Sequence, residues 1–86
     1  MYSSETRALN AMREFMSGTA PLCDCWHVRN KLKAVDAELE LAIKTTEGDE
    51  QAEARRLRFR WRKVLNQFLA CDRRLALQMA EDIAAR

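Results

Sequence analysis

Two series of apolar residues advance in alternating steps of three and four, and this spacing constrains the fold more than anything else in the chain. The first is Cys25, Val28, Leu32, Val35, Leu39 and Ala42; the second is Ala54, Leu57, Trp61, Val64, Phe68, Cys71 and Leu75. Such steps keep side chains on one side of an α-helix and form the seam along which two helices pack. A strand would need alternation every second residue. The stretch RRLRFRWRK, residues 55–63, does alternate basic and apolar. Leu57 and Trp61 already belong to the seam, however, so the helical reading takes precedence.

Interruptions are few. The only proline and one of the two glycines fall in SGTAPLCD (17–24), and the other glycine falls in TTEGDE (45–50). Gly18 and Gly48 suit positions just past a helix end, and Asp24 and Asp49 suit N-caps. The pattern predicts an all-α fold with helices near 4–17, 25–46 and 49–84, in a single domain spanning 1–86. The last helix would be about 55 Å long at ~1.5 Å per residue.

The short second interruption folds the two long helices into an antiparallel hairpin. Setting Val35 opposite Trp61 brings Leu39 to Leu57, Leu32 to Val64, Val28 to Phe68 and Cys25 to Cys71. The same register puts Asp36 near Arg58, Glu38 near Arg60 and Asp24 near Arg74. Each such pair contributes only ~0.2–1 kcal/mol, so the charges select register more than they stabilise it.

The first helix carries a short stripe of Ala8, Leu9, Met12, Phe15 and Met16. It is expected on the C-terminal half of the last helix, beyond the open end of the hairpin. Trp26, Ala34, Ala37 and Leu41 then remain on the back of the second helix. Leu65, Leu69, Ala76, Leu77, Ala80 and Ile83 widen the apolar face of the third. A chain of 86 residues buries a limited core, and the surplus surface predicts a homodimer or a partner helix; the alternative is a compact three-helix bundle in which the first helix folds over the hairpin groove and covers most of that surface.

The net charge of +2 makes no global case for nucleic acid. Locally, Phe59 has Arg55, Arg56, Arg62 and Lys63 as its i±3 and i±4 neighbours. An aromatic ringed by cations predicts a binding patch. The expected partner-binding residues are therefore Arg55, Arg56, Phe59, Arg62 and Lys63, with Trp26 and Leu41 from the second helix. A protein partner is the leading expectation, and a nucleic-acid-binding regulator using the basic face is the alternative. A hairpin that pairs into a bundle and uses such a face resembles, in architecture, small RNA-binding plasmid regulators.

Three thiols and the single imidazole, Cys23, Cys25, His27 and Cys71, converge near the hairpin's open end in this register. Their chemistry would suit tetrahedral zinc. The usual C-x₂-C spacing is absent, and on a helix Cys25 and His27 point about 200° apart. Packing is the simpler role for Cys25 and Cys71, so no metal or cofactor is expected. With one histidine and neither a phosphate loop nor H-E-x-x-H, the chain is not expected to be an enzyme. No apolar run approaches the ~20 residues of a membrane span, and the expected compartment is the cytoplasm.

Overall fold

The computed structural model describes residues 1–18 and 24–85. Four helices follow one another: α1 (Ser3–Ser17), α2 (Cys25–Thr45), α3 (Gly48–Leu69) and α4 (Arg73–Ala84). Their ends are set by local chemistry. Gly18 takes φ 68° after α1 and donates its amide to the Glu14 carbonyl. Asp24 caps α2 by accepting the His27 amide at 2.8 Å. The Thr46 hydroxyl returns to the Ala42 carbonyl at 2.6 Å and closes α2. Asp49 lies inside the first turn of α3 instead of capping it, where its charge still complements the helix dipole.

α2 and α3 lie side by side. Gln51 donates to the Ile43 carbonyl at 2.9 Å, and Arg58 donates to Asp36 at 2.9 Å. Residue numbers therefore rise along α3 as they fall along α2. Val28, Leu32, Val35 and Leu39 are buried on one helix, and Ala54, Trp61, Val64 and Phe68 on the other. Of the three charge pairs anticipated, Asp36–Arg58 forms. Glu38–Arg60 and Asp24–Arg74 are not among the ion pairs of the described residues.

The long last helix is a correction. It divides at Ala70–Asp72 into α3 and α4. Cys71 adopts φ 68°, its amide bonds the Phe68 carbonyl, and the Asp72 amide bonds the Gln67 carbonyl. These are the paired bonds of a Schellman helix end, with cysteine where glycine is usual. The Asp72 carboxylate then accepts the Leu75 amide and starts α4. Left-handed geometry costs a non-glycine residue about 1–2 kcal/mol. A straight helix would carry Ala76, Ala80 and Ile83 away from the bundle; the turn buries all three. Burial of an isoleucine alone is worth ~1.5–3 kcal/mol, so turning back prevails. Cys71 and Leu75, expected on the seam, are exposed as a result.

α1 packs on α2 and α4, not on an overhanging end of α3. Ala8, Leu9, Ala11 and Met12 face the core. The Phe15 ring meets Phe68 edge to face at 5.7 Å between centroids. The helices thus run in up–down order, with α1 and α4 forming a layer over α2 and α3. That layer covers much of the apolar surface for which a second subunit was expected.

Glu5 is 1% exposed, an unusual place for a carboxylate. Its Oε1 accepts the Trp61 indole N–H at 2.8 Å, and its Oε2 accepts the Tyr2 amide at 2.7 Å. Both oxygens have donors, as a buried carboxylate requires. Arg73 secures the other end of the bundle. Its guanidinium lies 5.4 Å and 5.7 Å from the Phe15 and Phe68 ring centres, and it donates to Cys25 Sγ at 3.1 Å.

Urea denaturation tests both features. Cys71→Gly should raise stability by roughly 0.5 kcal/mol, because relief of left-handed strain slightly exceeds the added freedom of the unfolded chain. Cys71→Val should lower it, and equal midpoints for glycine and valine would refute the left-handed turn. Trp61→Phe should cost ~1.5–3 kcal/mol by stranding the Glu5 carboxylate. In a double-mutant cycle with Glu5→Gln the two effects should be strongly non-additive; simple additivity would show that the bond is not made.

Candidate partner-binding face

The outer side of α2 and α3 holds three shallow depressions in a row, the last of which is also bordered by Arg73 of α4. At one end Phe59 sits with Ile43, Arg55 and Arg58. In the middle lie Lys33, Ala37, Glu40 and Leu65. At the far end Trp26 and Arg29 meet Leu69 beside Cys25 and Cys71. Helical spacing explains the alignment, since Arg29, Lys33 and Ala37 descend one side of α2 in steps of four.

All three apolar residues expected at a binding face are open to solvent: Trp26 at 63%, Leu41 at 61% and Phe59 at 63%. Each ring carries a cation. The Lys63 ammonium lies 4.6 Å from the Phe59 centroid, and the Arg29 guanidinium lies 4.6 Å from that of Trp26. Such contacts contribute ~0.5–1 kcal/mol at exposed sites and hold the rings in place.

The four cations around Phe59 are not equivalent. Arg62 donates to Asp36 at 3.0 Å, and Arg56 pairs with Glu53 at 2.8 Å. Arg55 and Lys63 have no ion pair among the described residues. Asp36 is the hub between the helices, because Arg58 and Arg62 both donate to its Oδ1 and Arg58 also reaches Oδ2. The hydrogen bond from Arg58 holds the Asp36 carboxyl below its ordinary value, against partial burial, which pushes it up. Arg62 lowers it further through its own hydrogen bond and charge. Conversely, Asp36 raises the Arg58 guanidinium. Glu40 joins this network through Lys44 at 3.3 Å and Arg58 at 3.7 Å.

Of the anticipated thiol–imidazole cluster, Cys25 and Cys71 line one depression. Cys23 lies outside the described residues. Cys71 is exposed in the turn, and Cys25 Sγ faces the Arg73 guanidinium, a cation where a metal ion would have to sit. Among the described residues no group of three His, Cys, Asp or Glu side chains could hold a metal. Cys25 and Cys71 are free thiols. No helix among the described residues is long and apolar enough to cross a membrane.

The packing of α1, α3 and α4 also creates a concavity. A cavity of about 500 Å³ opens among Tyr2, Glu5, Leu57, Arg60 and Ile83. Glu5 and Arg56 at its wall are already engaged by Trp61 and Glu53. Sequence reasoning missed the roles of Glu5, Arg73 and Ile43. For Glu5 the available signal was an acid in a first helical turn, which ordinarily reads as a solvated cap. No protein-family model matches the chain, and neither does any curated protein or solved structure.

The Asp36 hub has a pH signature. A carboxyl lowered by folding stabilises the native state fully above its unfolded value of about 3.9, and that contribution is lost as pH falls through the lower folded value. Asp36→Asn should therefore lower stability at neutral pH and flatten the decline below about pH 4. Equal acid slopes for wild type and variant, read from denaturation midpoints, would contradict the assignment.

Proposed function

We propose that this protein is a non-enzymatic interaction module, an adaptor, chaperone or inhibitor working in the cytoplasm. On this reading it binds a protein partner through the outer face of α2 and α3. One observation carries it. The chain completes its own core with α1 and α4, yet leaves Trp26, Leu41 and Phe59 more than half exposed on that one layer. Surface aromatics are the side chains that most often anchor protein interfaces. Arg55, Arg56, Arg62 and Lys63 form the polar surround of Phe59.

Nucleic-acid binding is the second reading, favoured by the six basic residues within 55–63. The carboxylates of Asp36, Glu40 and Glu53 weigh against it. They already bind Arg58, Arg62 and Arg56, which leaves few cations for a continuous run of phosphates.

Affinity capture from native lysate, with mass spectrometry, tests the proposal. Wild type should retain a partner in near-stoichiometric amount, and Phe59→Ala or Arg55→Glu should reduce it at least tenfold while thermal unfolding stays within a few degrees. A captured set identical for all three proteins would overturn the reading. So would capture of nucleic acid that weakens steeply as salt is raised.

A further inference from the structure

The surplus positive charge of the molecule is confined to one layer. α1 carries Arg7 and Arg13 against Glu5 and Glu14, and α4 carries Arg73 and Arg74 against Glu81 and Asp82; each helix is balanced. α2 and α3 are not. Along their outer depressions Arg29, Lys33, Arg55, Arg58 and Arg62 face only Asp36 and Glu40. Both of those acids are already bound to cations within the chain.

We infer that the outer face of α2 and α3 is a seat for an acidic amphipathic helix of a different protein. The inference rests on the protein-binding reading above and names the partner's chemistry. Trp26 and Ile43, at the two ends of the row, lie seventeen positions apart on α2, or about 25 Å along the axis at ~1.5 Å per residue. A partner helix of roughly five turns spans that distance. Its apolar stripe would meet Trp26 and Leu69 at one end and Phe59 and Ile43 at the other, with Ala37 and Leu65 between. The small Ala37 side chain lets a helix approach closely at mid-groove.

Glutamates and aspartates flanking that stripe would meet Arg55, Lys63, Lys33 and Arg29, cations with no carboxylate partner among the described residues. A second copy of this chain fits poorly, because it would bring one positive layer against another. Single-stranded nucleic acid fits less well, because Arg29 and Lys63 already cover faces of the two rings on which bases would stack.

The test uses two synthetic 18-residue helical peptides with the same leucine stripe at i, i+3, i+4 and i+7. One is flanked by glutamate and the other by lysine. Trp26 is exposed and Trp61 is 2% exposed, so a blue shift of indole emission on titration reports occupancy of the groove. The acidic peptide should bind saturably and produce the shift. The lysine peptide should bind at least tenfold more weakly. Trp26→Phe should abolish the shift. Arg55→Glu/Lys63→Glu should weaken the acidic peptide at least tenfold and strengthen the lysine peptide, a reversal that misfolding cannot produce.

Equal binding of both peptides overturns the inference, as does absence of binding, or preference for a poly-dT oligonucleotide over the acidic peptide. Excess acidic peptide should also displace the partner captured through Phe59. If Phe59-dependent capture persists while the acidic peptide neither binds nor competes, the partner is a protein of other chemistry and the broader reading survives. If Phe59-dependent capture is itself absent, both fail.

Discussion

A buried indole N–H in the middle of α3 must find an acceptor, and a buried carboxylate must find donors. Trp61 and Glu5 meet both needs in one contact. The Trp61 side chain lies on the α2–α3 seam, and its N–H reaches past that seam to the first turn of α1. This fixes where α1 begins along the bundle and how it is rotated. Phe15, about three turns later, then falls against Phe68 and Arg73. The second Glu5 oxygen holds the Tyr2 amide, so the same residue starts the helix and docks it. Either group alone would be a liability in the core, and removing one strands the other.

With α1 so placed, the remaining open side of the seam is closed by the last segment. Ala76, Ala80 and Ile83 can reach it only if the chain reverses after Leu69. No glycine is available there, so Cys71 takes the left-handed geometry that ends α3. A modest local strain is outweighed by burial of a whole helical face. Arg73, the first residue after that reversal, then bridges three helices by lying over two phenylalanine rings and donating to Cys25. The turn that removes Cys71 from the core leaves it beside Cys25 at the edge of one depression.

The arrangement leaves a molecule with two unlike sides. One layer is internally balanced in charge and supplies the lid over the core. The other presents Trp26, Leu41 and Phe59 among cations, with Asp36 and Glu40 tying its two helices together beneath them. The core is satisfied without that outer face, so its aromatic and aliphatic groups stay exposed. Asp36 engages Arg58 and Arg62, and the peripheral cations Arg55, Lys63, Arg29 and Lys33 have no carboxylate partner among the described residues. In the proposed role, charge there would select the partner and the apolar residues between would hold it.

Periodicity and capping chemistry by themselves determined the helical class, the extents of α1 and α2, the start of α3, and the buried positions from Val28 to Leu39 and from Trp61 to Phe68. These follow from local spacing, which every turn of helix repeats. The exposure of Phe59, Trp26 and Leu41 was also legible, since they lie off the seam. Tertiary structure alone decided the break at Cys71, the burial of Glu5 and the bridging role of Arg73. Each depends on groups distant along the chain. The 3,4 pattern runs unbroken through residue 71, and only the competition for one shared core shows that the helix gains more by turning. The Asp72 side chain that starts α4 was a readable cap signal, hidden within a pattern that a straight helix satisfies equally well.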